Sequence, residues 1–353
     1  MTRAILIASG GTGGHMFPAT ALGDALARRG HAVRYAVDRR GTRYLAADAA
    51  RVLVPAASPT GSPPRRLWGL ATLGLGLALS LVRLGLRRPA AVAAFGGYAS
   101  VPTGVAAGLL RVPLVLHEQN AVLGRAHRLL LRFARRIATS FPETGGVPAG
   151  TANDFVGNPV RAAFHDLPQA PPHAGVRLFV VGGSQGARVF SDVLPEAIGR
   201  LGAATRERLT IVQQCRGEDL ARVERAYAEL GVAAELASFF DDVPARLAAC
   251  DLVISRAGAS AVAEILVAAR PAVLVAYPHA ADDHQRANAR ALADAGAAVA
   301  VDPAEATAER LAAVVGDLVD DPARRGAMAD AAGRLARPDA AERLADRVEE
   351  VIA

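Results

Sequence analysis

Ser9-Gly10-Gly11-Thr12-Gly13-Gly14-His15-Met16-Phe17-Pro18 is the stretch from which the rest of the chain is read. An apolar run at 4–8, long enough for one buried strand, precedes it. A helical pattern follows from 18 to 29 and closes at Gly30. The glycines therefore sit where a strand ends and a helix begins. Glycine there lets a backbone approach a ligand closely and turn its N–H groups inward. The helix N-terminus beyond favours phosphate. His15 lies at the mouth of the turn, where a base could reach a bound hydroxyl. Turns of this kind also occur for packing alone. The dinucleotide fingerprint G-x-G-x-x-G fails, because its third glycine, counted from Gly11, falls at Met16. A lysine-bearing P-loop fails as well, since the chain contains no lysine.

The chain's 353 residues suffice for two domains, each with its own core. Its 52% hydrophobic and 5% aromatic composition suits a soluble α/β protein. Cys215 and Cys250 stand apart from each other and from any histidine cluster, so neither zinc nor a disulfide framework is indicated. The N-terminal apolar run is only strand-length, which makes a reducing cytoplasm the expected compartment. Charge is unevenly divided. Residues 1–136 carry 19 Arg against four acids, Asp24, Asp38, Asp48 and Glu118, while the remainder carries 21 Arg against 30 acids. The first part is thus +15 and the rest −9 within an overall +6, which points the first half toward an anionic partner.

Strand and helix alternate through the first half. Residues 32–37, 52–55, 90–95, 113–116 and 137–140 read as strands, and 56–64 as a Pro/Ser/Gly loop. Between Arg66 and Arg83 lie sixteen uncharged residues, bracketed by Arg65, Arg66, Arg83, Arg87 and Arg88. As a helix this run is about 24 Å long, short of the ~30 Å hydrocarbon core, so a single span is not expected. Two compatible readings remain: a buried crossover helix, and a leucine-rich outer face that dips into a bilayer while arginines hold headgroups. A second glycine turn, Gly96-Gly97-Tyr98-Ala99-Ser100, precedes a helix at 101–110. His117-Glu118-Gln119-Asn120 ends the strand at 113–116, where open α/β sheets place ligands. Residues 155–161 read as the last strand and exit turn, and the proline-rich 165–175 as the linker.

The second half repeats the plan. A strand at 176–181 runs into Gly182-Gly183-Ser184-Gln185-Gly186-Ala187 and a helix. Strand or helix patterns continue at 209–213, 218–230, 251–255, 259–268, 272–276 and 297–301. Three helical patterns close the chain at 305–319, 322–336 and 339–352. The expected architecture is two doubly wound domains, 1–162 and 163–338, with a cleft between their carboxyl edges. A C-terminal helix, 339–353, is expected to cross back to the first domain. In Ser255-Arg256-Ala257-Gly258-Ala259-Ser260, the N–H groups of 258–260, including Ala259 and Ser260, would face phosphate, and Glu264 would accept from a diol such as ribose. A glutamate near a helix start also occurs for structural reasons alone. Gln285 and Asn288, one turn apart, suit hydroxyl recognition. A His beside paired Asp at 282–284 raises a metal site, but no second ligand cluster has the spacing to complete it.

Seven motifs taken in order carry a resemblance: Gly10-Gly11-Thr12-Gly13-Gly14-His15, Gly96-Gly97-Tyr98, His117-Glu118-Gln119-Asn120, Gly157-Asn158-Pro159-Val160-Arg161, Gly182-Gly183-Ser184-Gln185-Gly186-Ala187, Ser255-Arg256-Ala257-Gly258-Ala259 and Asp283-His284-Gln285. Over nearly its whole length the chain resembles the MurG family, the bacterial UDP-N-acetylglucosamine transferases that complete lipid II in peptidoglycan synthesis. It departs from the family at Leu123, where proline is expected, and in lacking lysine.

The resemblance implies a GT-B fold and an inverting transfer from UDP-GlcNAc to undecaprenyl-pyrophosphoryl-MurNAc-pentapeptide, with no cofactor or metal. It implies that Ser184, Gln185 and Gly186 meet the diphosphate, Glu264 the ribose, and the backbone of Phe240 the uracil. Arg161 would reach the donor, Asn120 and Gln285 the sugar hydroxyls, and Thr12, Gly13 and Gly14 the sugars and acceptor pyrophosphate. His15 is the first candidate base and Glu118 the second. Segment 65–88 would hold the first domain against anionic lipids of the inner leaflet, making the protein peripheral on the cytoplasmic face.

Three other readings compete. A different sugar-nucleotide enzyme, a transferase to another acceptor or a UDP-GlcNAc 2-epimerase, shares the fold plan, and the epimerase needs no membrane segment. A nicotinamide oxidoreductase would use Asp38 on the ribose but lacks the glycine fingerprint. A non-enzymatic membrane or nucleic-acid binder accounts for the charge but not for the glycine turns.

Overall fold

The computed structural model describes residues 2–168, 173–183 and 188–352. The chain divides into two compact units, Met1–Arg161 with Arg337–Ala353, and Ala162–Ala336. In the first unit the strands are β1 (Ala4–Ser9), β2 (Ala32–Val37), β3 (Arg51–Leu53), β4 (Ala91–Ala94), β5 (Leu114–Glu118), β6 (Arg136–Thr139) and β7 (Asn153–Phe155). They form one parallel sheet in the order β3-β2-β1-β4-β5-β6-β7. Every residue of β4 and β5 is buried, as expected of a parallel sheet covered on both faces.

Helices α1 (Gly13–Arg28), α2 (Pro63–Leu86), α3 (Ser100–Leu109) and α4 (Arg125–Leu130) belong to this unit. Helix α1 starts five residues earlier than the apolar periodicity indicates and includes Pro18. Proline cannot donate to the carbonyl four residues back. The first turn is instead closed by the Thr12 carbonyl, which accepts from His15 N–H at 3.1 Å and Met16 N–H at 2.9 Å. His15 therefore stands on the helix rather than in the loop before it.

Helix α2 has 24 residues, about 36 Å by its rise, and so outruns the sixteen-residue uncharged stretch. Pro63 and Pro64 occupy its first positions, where a missing N–H costs nothing. Its arginines stand exposed near the two ends. Its buried stripe is Gly69, Gly76, Ser80 and Leu84. A side chain at Gly69 would come within 2.6 Å of the Ser58 carbonyl. Outward stand Leu67 and Trp68, each 71% exposed, with Leu70, Leu75, Val82 and Leu86. Leu84 apart, the buried stripe is of small residues, while large apolar ones stand outward, unlike an ordinary surface helix. By length and composition alone α2 could cross a membrane.

In the second unit the strands are β8 (Val176–Val181), β9 (Leu209–Gln214), β10 (Ala233–Ala237), β11 (Leu252–Ser255), β12 (Ala272–Val275) and β13 (Ala298–Val301). The parallel order is β10-β9-β8-β11-β12-β13. The helices are α5 (Arg188–Gly199), α6 (Ala203–Arg206), α7 (Leu220–Glu229), α8 (Val243–Ala249), α9 (Ala259–Val267), α10 (His284–Asp294), α11 (Ala308–Asp320) and α12 (Pro322–Leu335). Strand β10 and helix α8 escape a reading of periodicity. The alanine-rich β10 is a largely exposed edge strand, held by its register with β9.

Helix α13 (Ala340–Glu350) packs on α1, in the first unit. Its Ala341, Leu344, Ala345 and Val348 follow a helical face and enter the same core as Leu22, Ala25 and Leu26. Arg29 pins it through Glu342, Asp346 and Glu349, each at 2.7 Å.

Candidate active site

In each sheet the strand order reverses beside the first strand, the place where ligands enter doubly wound folds. In the first unit this point lies between β1 and β4, and both glycine turns meet there: Gly10 N–H donates to the Gly96 carbonyl at 2.9 Å. The glycines of the first turn have different reasons to be there. A Cβ on Gly10 would lie 3.0 Å from Gly97 Cα, and one on Gly11 would collide with the Asp38 carboxylate. Those two serve packing. Gly14 faces open space, and Thr12 and Gly14 are exposed. Thr12 caps α1 without a side-chain hydrogen bond, and the first turn holds no acidic residue. Its N–H groups thus meet no carboxylate of the turn itself.

His15 is half-buried, and its Nδ1 lies 3.0 Å from Gln119 Oε1. The Gln119 amide nitrogen lies 3.0 Å from His117 Nδ1 and 2.6 Å from the His117 carbonyl. His117 Nε2 in turn meets the Gly157 carbonyl at 2.9 Å. Burial pushes the His117 imidazole down to about 4, against the smaller upward pulls of the Gly157 carbonyl and Glu118. His117 is therefore neutral near pH 7.

Glu118 is 2% exposed. Its Oε1 accepts from Asn120 N–H at 3.0 Å and from the Asn120 side-chain amide at 3.1 Å. Its Oε2 accepts from Gly124 N–H at 2.9 Å and from His127 Nδ1 at 2.7 Å. Burial alone would raise this carboxyl, but His127 and the two backbone N–H groups outweigh it and bring it down to about 2. A carboxylate so weakly basic and so fully engaged is a poor proton acceptor, which weighs against Glu118 and for His15 as the base. It organises the loop from 118 to 127 instead, with Leu123 fully buried inside. His127 Nε2 is buried with no hydrogen-bond partner among the described residues, beside Gly96 at φ +87.

Arg161 lies over the ring of Phe17 at 5.6 Å, and Phe17 follows His15 by two residues on α1. Asp38 accepts from Gly41 N–H at 2.9 Å and from Arg40 at 3.0 Å, so it closes its own turn rather than awaiting a ribose.

In the second unit the reversal lies between β8 and β11. The Gly182 N–H donates to Gln214 at 3.2 Å, while Ser184, Gln185 and Gly186 lie outside the described residues. Gly258 caps α9, which begins with Ala259 and Ser260. The Ser260 hydroxyl oxygen is buried with no hydrogen-bond partner among the described residues. Glu264 stands half-buried in the second turn of α9. Gln285 Oε1 accepts from Tyr277 N–H at 3.0 Å, which leaves its amide nitrogen on the side facing Gly258. Asn288 is fully buried and donates to the Ala257 carbonyl at 2.9 Å. It thus lies deeper than Gln285, its amide engaged with the turn before α9. Arg256, which sequence reasoning gave no role, donates to the Ala276 carbonyl at 2.6 Å and ties the ends of β11 and β12 together. Asp282 and Asp283, both at positive φ, bend the chain sharply into α10. The Phe240 side chain is buried under Arg246, at 4.0 Å, and against Phe179, so its backbone is held by its own ring. Among the described residues no cluster of His, Cys, Asp and Glu is arranged to hold a metal ion.

Comparison with known proteins agrees with this layout. The Glycosyltransferase family 28 N-terminal domain matches residues 5–139, and the family's C-terminal domain matches 177–344. A UDP-N-acetylglucosamine–N-acetylmuramyl-(pentapeptide) pyrophosphoryl-undecaprenol N-acetylglucosamine transferase of Rhodospirillum centenum is 48% identical over 98% of this chain and 93% of its own. The enzyme of the same description from Methylobacterium radiotolerans is 46% identical over 100% of this chain and 98% of its own. Among solved structures, Acinetobacter baumannii MurG superposes with a TM-score of 0.83 at 29% identity, covering 99% of both chains. A UDP-N-acetylglucosamine 2-epimerase from Listeria monocytogenes, 14% identical, reaches 0.68 over 99% of this chain and 96% of its own, a likeness of fold alone. With near-complete coverage at almost half identity and both domain models in order, this chain belongs to the MurG family of glycosyltransferases, built on the paired Rossmann-like domains of the GT-B fold.

Proposed function

We propose that this chain, a UDP-GlcNAc transferase of the MurG family, moves GlcNAc to the 4-hydroxyl of MurNAc in lipid I with His15 as the base. The single observation that carries this is the position of His15 at the reversal point of the first sheet, while the nearby carboxylate of Glu118 is fully engaged. His15 takes the hydroxyl proton as the acceptor oxygen attacks the anomeric carbon. The bond from that carbon to UDP breaks on the opposite face, UDP leaves with the electron pair, and the configuration inverts. Negative charge grows on the departing diphosphate. The start of α9, with Ala259 and Ser260, meets that charge, together with Ser184, Gln185 and Gly186, which lie outside the described residues. Glu264 takes the ribose, the Phe240 backbone the uracil, and Gln285, Asn120 and Arg161 the donor sugar and its phosphates. Thr12, Gly13 and Gly14 face the acceptor. The reading needs no cofactor or metal.

The outward leucines of α2 and the exposed Arg65, Arg66 and Arg87 near its ends hold the first unit on anionic lipid of the cytoplasmic leaflet. Purified protein given labelled UDP-GlcNAc and a short-chain lipid I analogue in EDTA should move label to the lipid. Well-folded protein that binds UDP but transfers nothing would sink the acceptor assignment. Replacing Leu67, Trp68 and Leu70 with glutamine should abolish flotation with phosphatidylglycerol vesicles yet spare turnover of the short-chain acceptor. Unchanged flotation would remove α2 from the membrane contact.

A further inference from the structure

The hydrogen bonds around Gln119 fix more than its own position. The His117 main-chain carbonyl can only accept, so the Gln119 atom 2.6 Å from it is the amide nitrogen. The same nitrogen lies 3.0 Å from His117 Nδ1, which must therefore present its lone pair. A second main-chain acceptor leads to the same tautomer. The Gly157 carbonyl, 2.9 Å from His117 Nε2, requires the ring proton on that nitrogen. Two backbone oxygens, one on β5 and one after β7, thus orient the Gln119 amide from opposite ends of the chain of bonds. The orientation carries through to His15. Gln119 Oε1 faces His15 Nδ1 at 3.0 Å, and an amide oxygen can only accept. His15 must hold its proton on Nδ1, which leaves the lone pair of the neutral ring on Nε2.

We propose that Gln119 is a positioning residue, which holds His15 in the tautomer whose Nε2 can accept a proton and fixes the plane of its ring. The proposal rests on the reading that His15 is the base. It assigns Gln119 the work that a carboxylate does behind histidine in hydrolase triads, with one difference. A neutral amide orients the ring without raising its basicity as an anion would. The buried, neutral His117 makes this arrangement rigid, because an imidazolium there could not accept from the Gln119 amide. The nearby carboxylate, Glu118, is turned away toward Asn120, Gly124 and His127.

The experiment is a double-mutant cycle read together with ring-nitrogen NMR of histidine-labelled protein. Gln119→Met keeps the length of the side chain and removes the acceptor. It should lower kcat about 100-fold and change KM for UDP-GlcNAc little, since only the geometry of the base is lost. In a His15→Ala background the same change should cost nothing further. In wild type, the His15 Nε2 signal should be that of an unprotonated ring nitrogen, and in Gln119→Met it should move toward the protonated type. Identical His15 ring signals in the two proteins, or an equal loss of kcat from Gln119→Met with and without His15, would overturn the proposal. If His15→Ala by itself keeps wild-type turnover, the base reading falls, and the ring signals still decide whether Gln119 sets the tautomer. UDP affinity and thermal midpoint, measured alongside, separate a loss of fold from a loss of chemistry.

Discussion

The two sheets open in the same way and end in opposite chemistry. Each reverses its strand order beside the first strand, and glycines follow that strand in both sheets. At the first unit's reversal stand His15, His117, Glu118, Gln119 and His127, hydrogen-bonded in chains and mostly buried. At the second stand amides, a hydroxyl and a helix start: Gln285, Asn288, Ser260 and Gly258. On the function proposed above, the first would move a proton and the second, through Gln285, Ser260 and the helix start, would hold an anion and its sugar. One architecture thus supports both tasks, and what differs is the side chains mounted past the carboxyl ends of the strands.

The comparison breaks most readily at His15. His15→Ala should lower kcat by about 10²- to 10⁴-fold while UDP binding survives, measured by label transfer and calorimetry. Equal losses in both would merge the two roles. Next in size is Glu118→Leu, which strands the His127 imidazole and two backbone donors in the interior. It should cost the first unit about 3–5 kcal/mol in denaturant unfolding, with little change in a transition of the second unit. At the second site, Gln285→Leu should act on binding rather than chemistry, raising KM for UDP-GlcNAc about 10-fold with kcat changed less. A loss confined to kcat would contradict the division.

Acid sharpens the same contrast. His117 is lowered in the folded chain from the ordinary 6.5 to about 4. As pH falls through that window the unfolded chain takes up a proton that the folded one refuses, so stability falls. Glu118, lowered from 4.5 to about 2, adds a loss of the same sign further into acid. Each group contributes up to about 1.4 kcal/mol per pH unit. Thermal melts from pH 7 to 4 should show the first unit weakening first, and His117→Gln should flatten its slope. A first-unit melting temperature that stays constant across this range would mean that the network is not held as described.

Much of this was legible in the residues. The strand–glycine–helix rhythm marked both sheets, because buried parallel strands read as short apolar runs and glycine interrupts them where the backbone must turn. Apolar residues at helical spacing after Pro338 marked the last helix. The edge strand β10 was missed because alanine carries little strand preference and the partner β9 supplies the register. The spacing of Gln285 and Asn288 did not show their different depths, because helical spacing gives a shared face but not its burial. Asn288 lies at zero exposure.

What the sequence determined was local and cumulative: the two-domain plan, the order of seven motifs, and the greasy, arginine-flanked run. Period, turn chemistry and charge are written residue by residue. What only the tertiary structure decided was which polar groups answer one another. The engagement of Glu118 by His127, nine residues away, depends on how a loop folds back. The bond from Gln119 to His15 spans 104 positions and exists only because β1 and β5 flank β4 in one sheet. Helix α2 keeps Leu67, Leu70, Leu75 and Leu86 outward while Gly69 and Gly76 fit against the chain beneath, where a Cβ would collide. Long-range contact, burial and proton placement are properties of the packed chain, and no linear spacing specifies them.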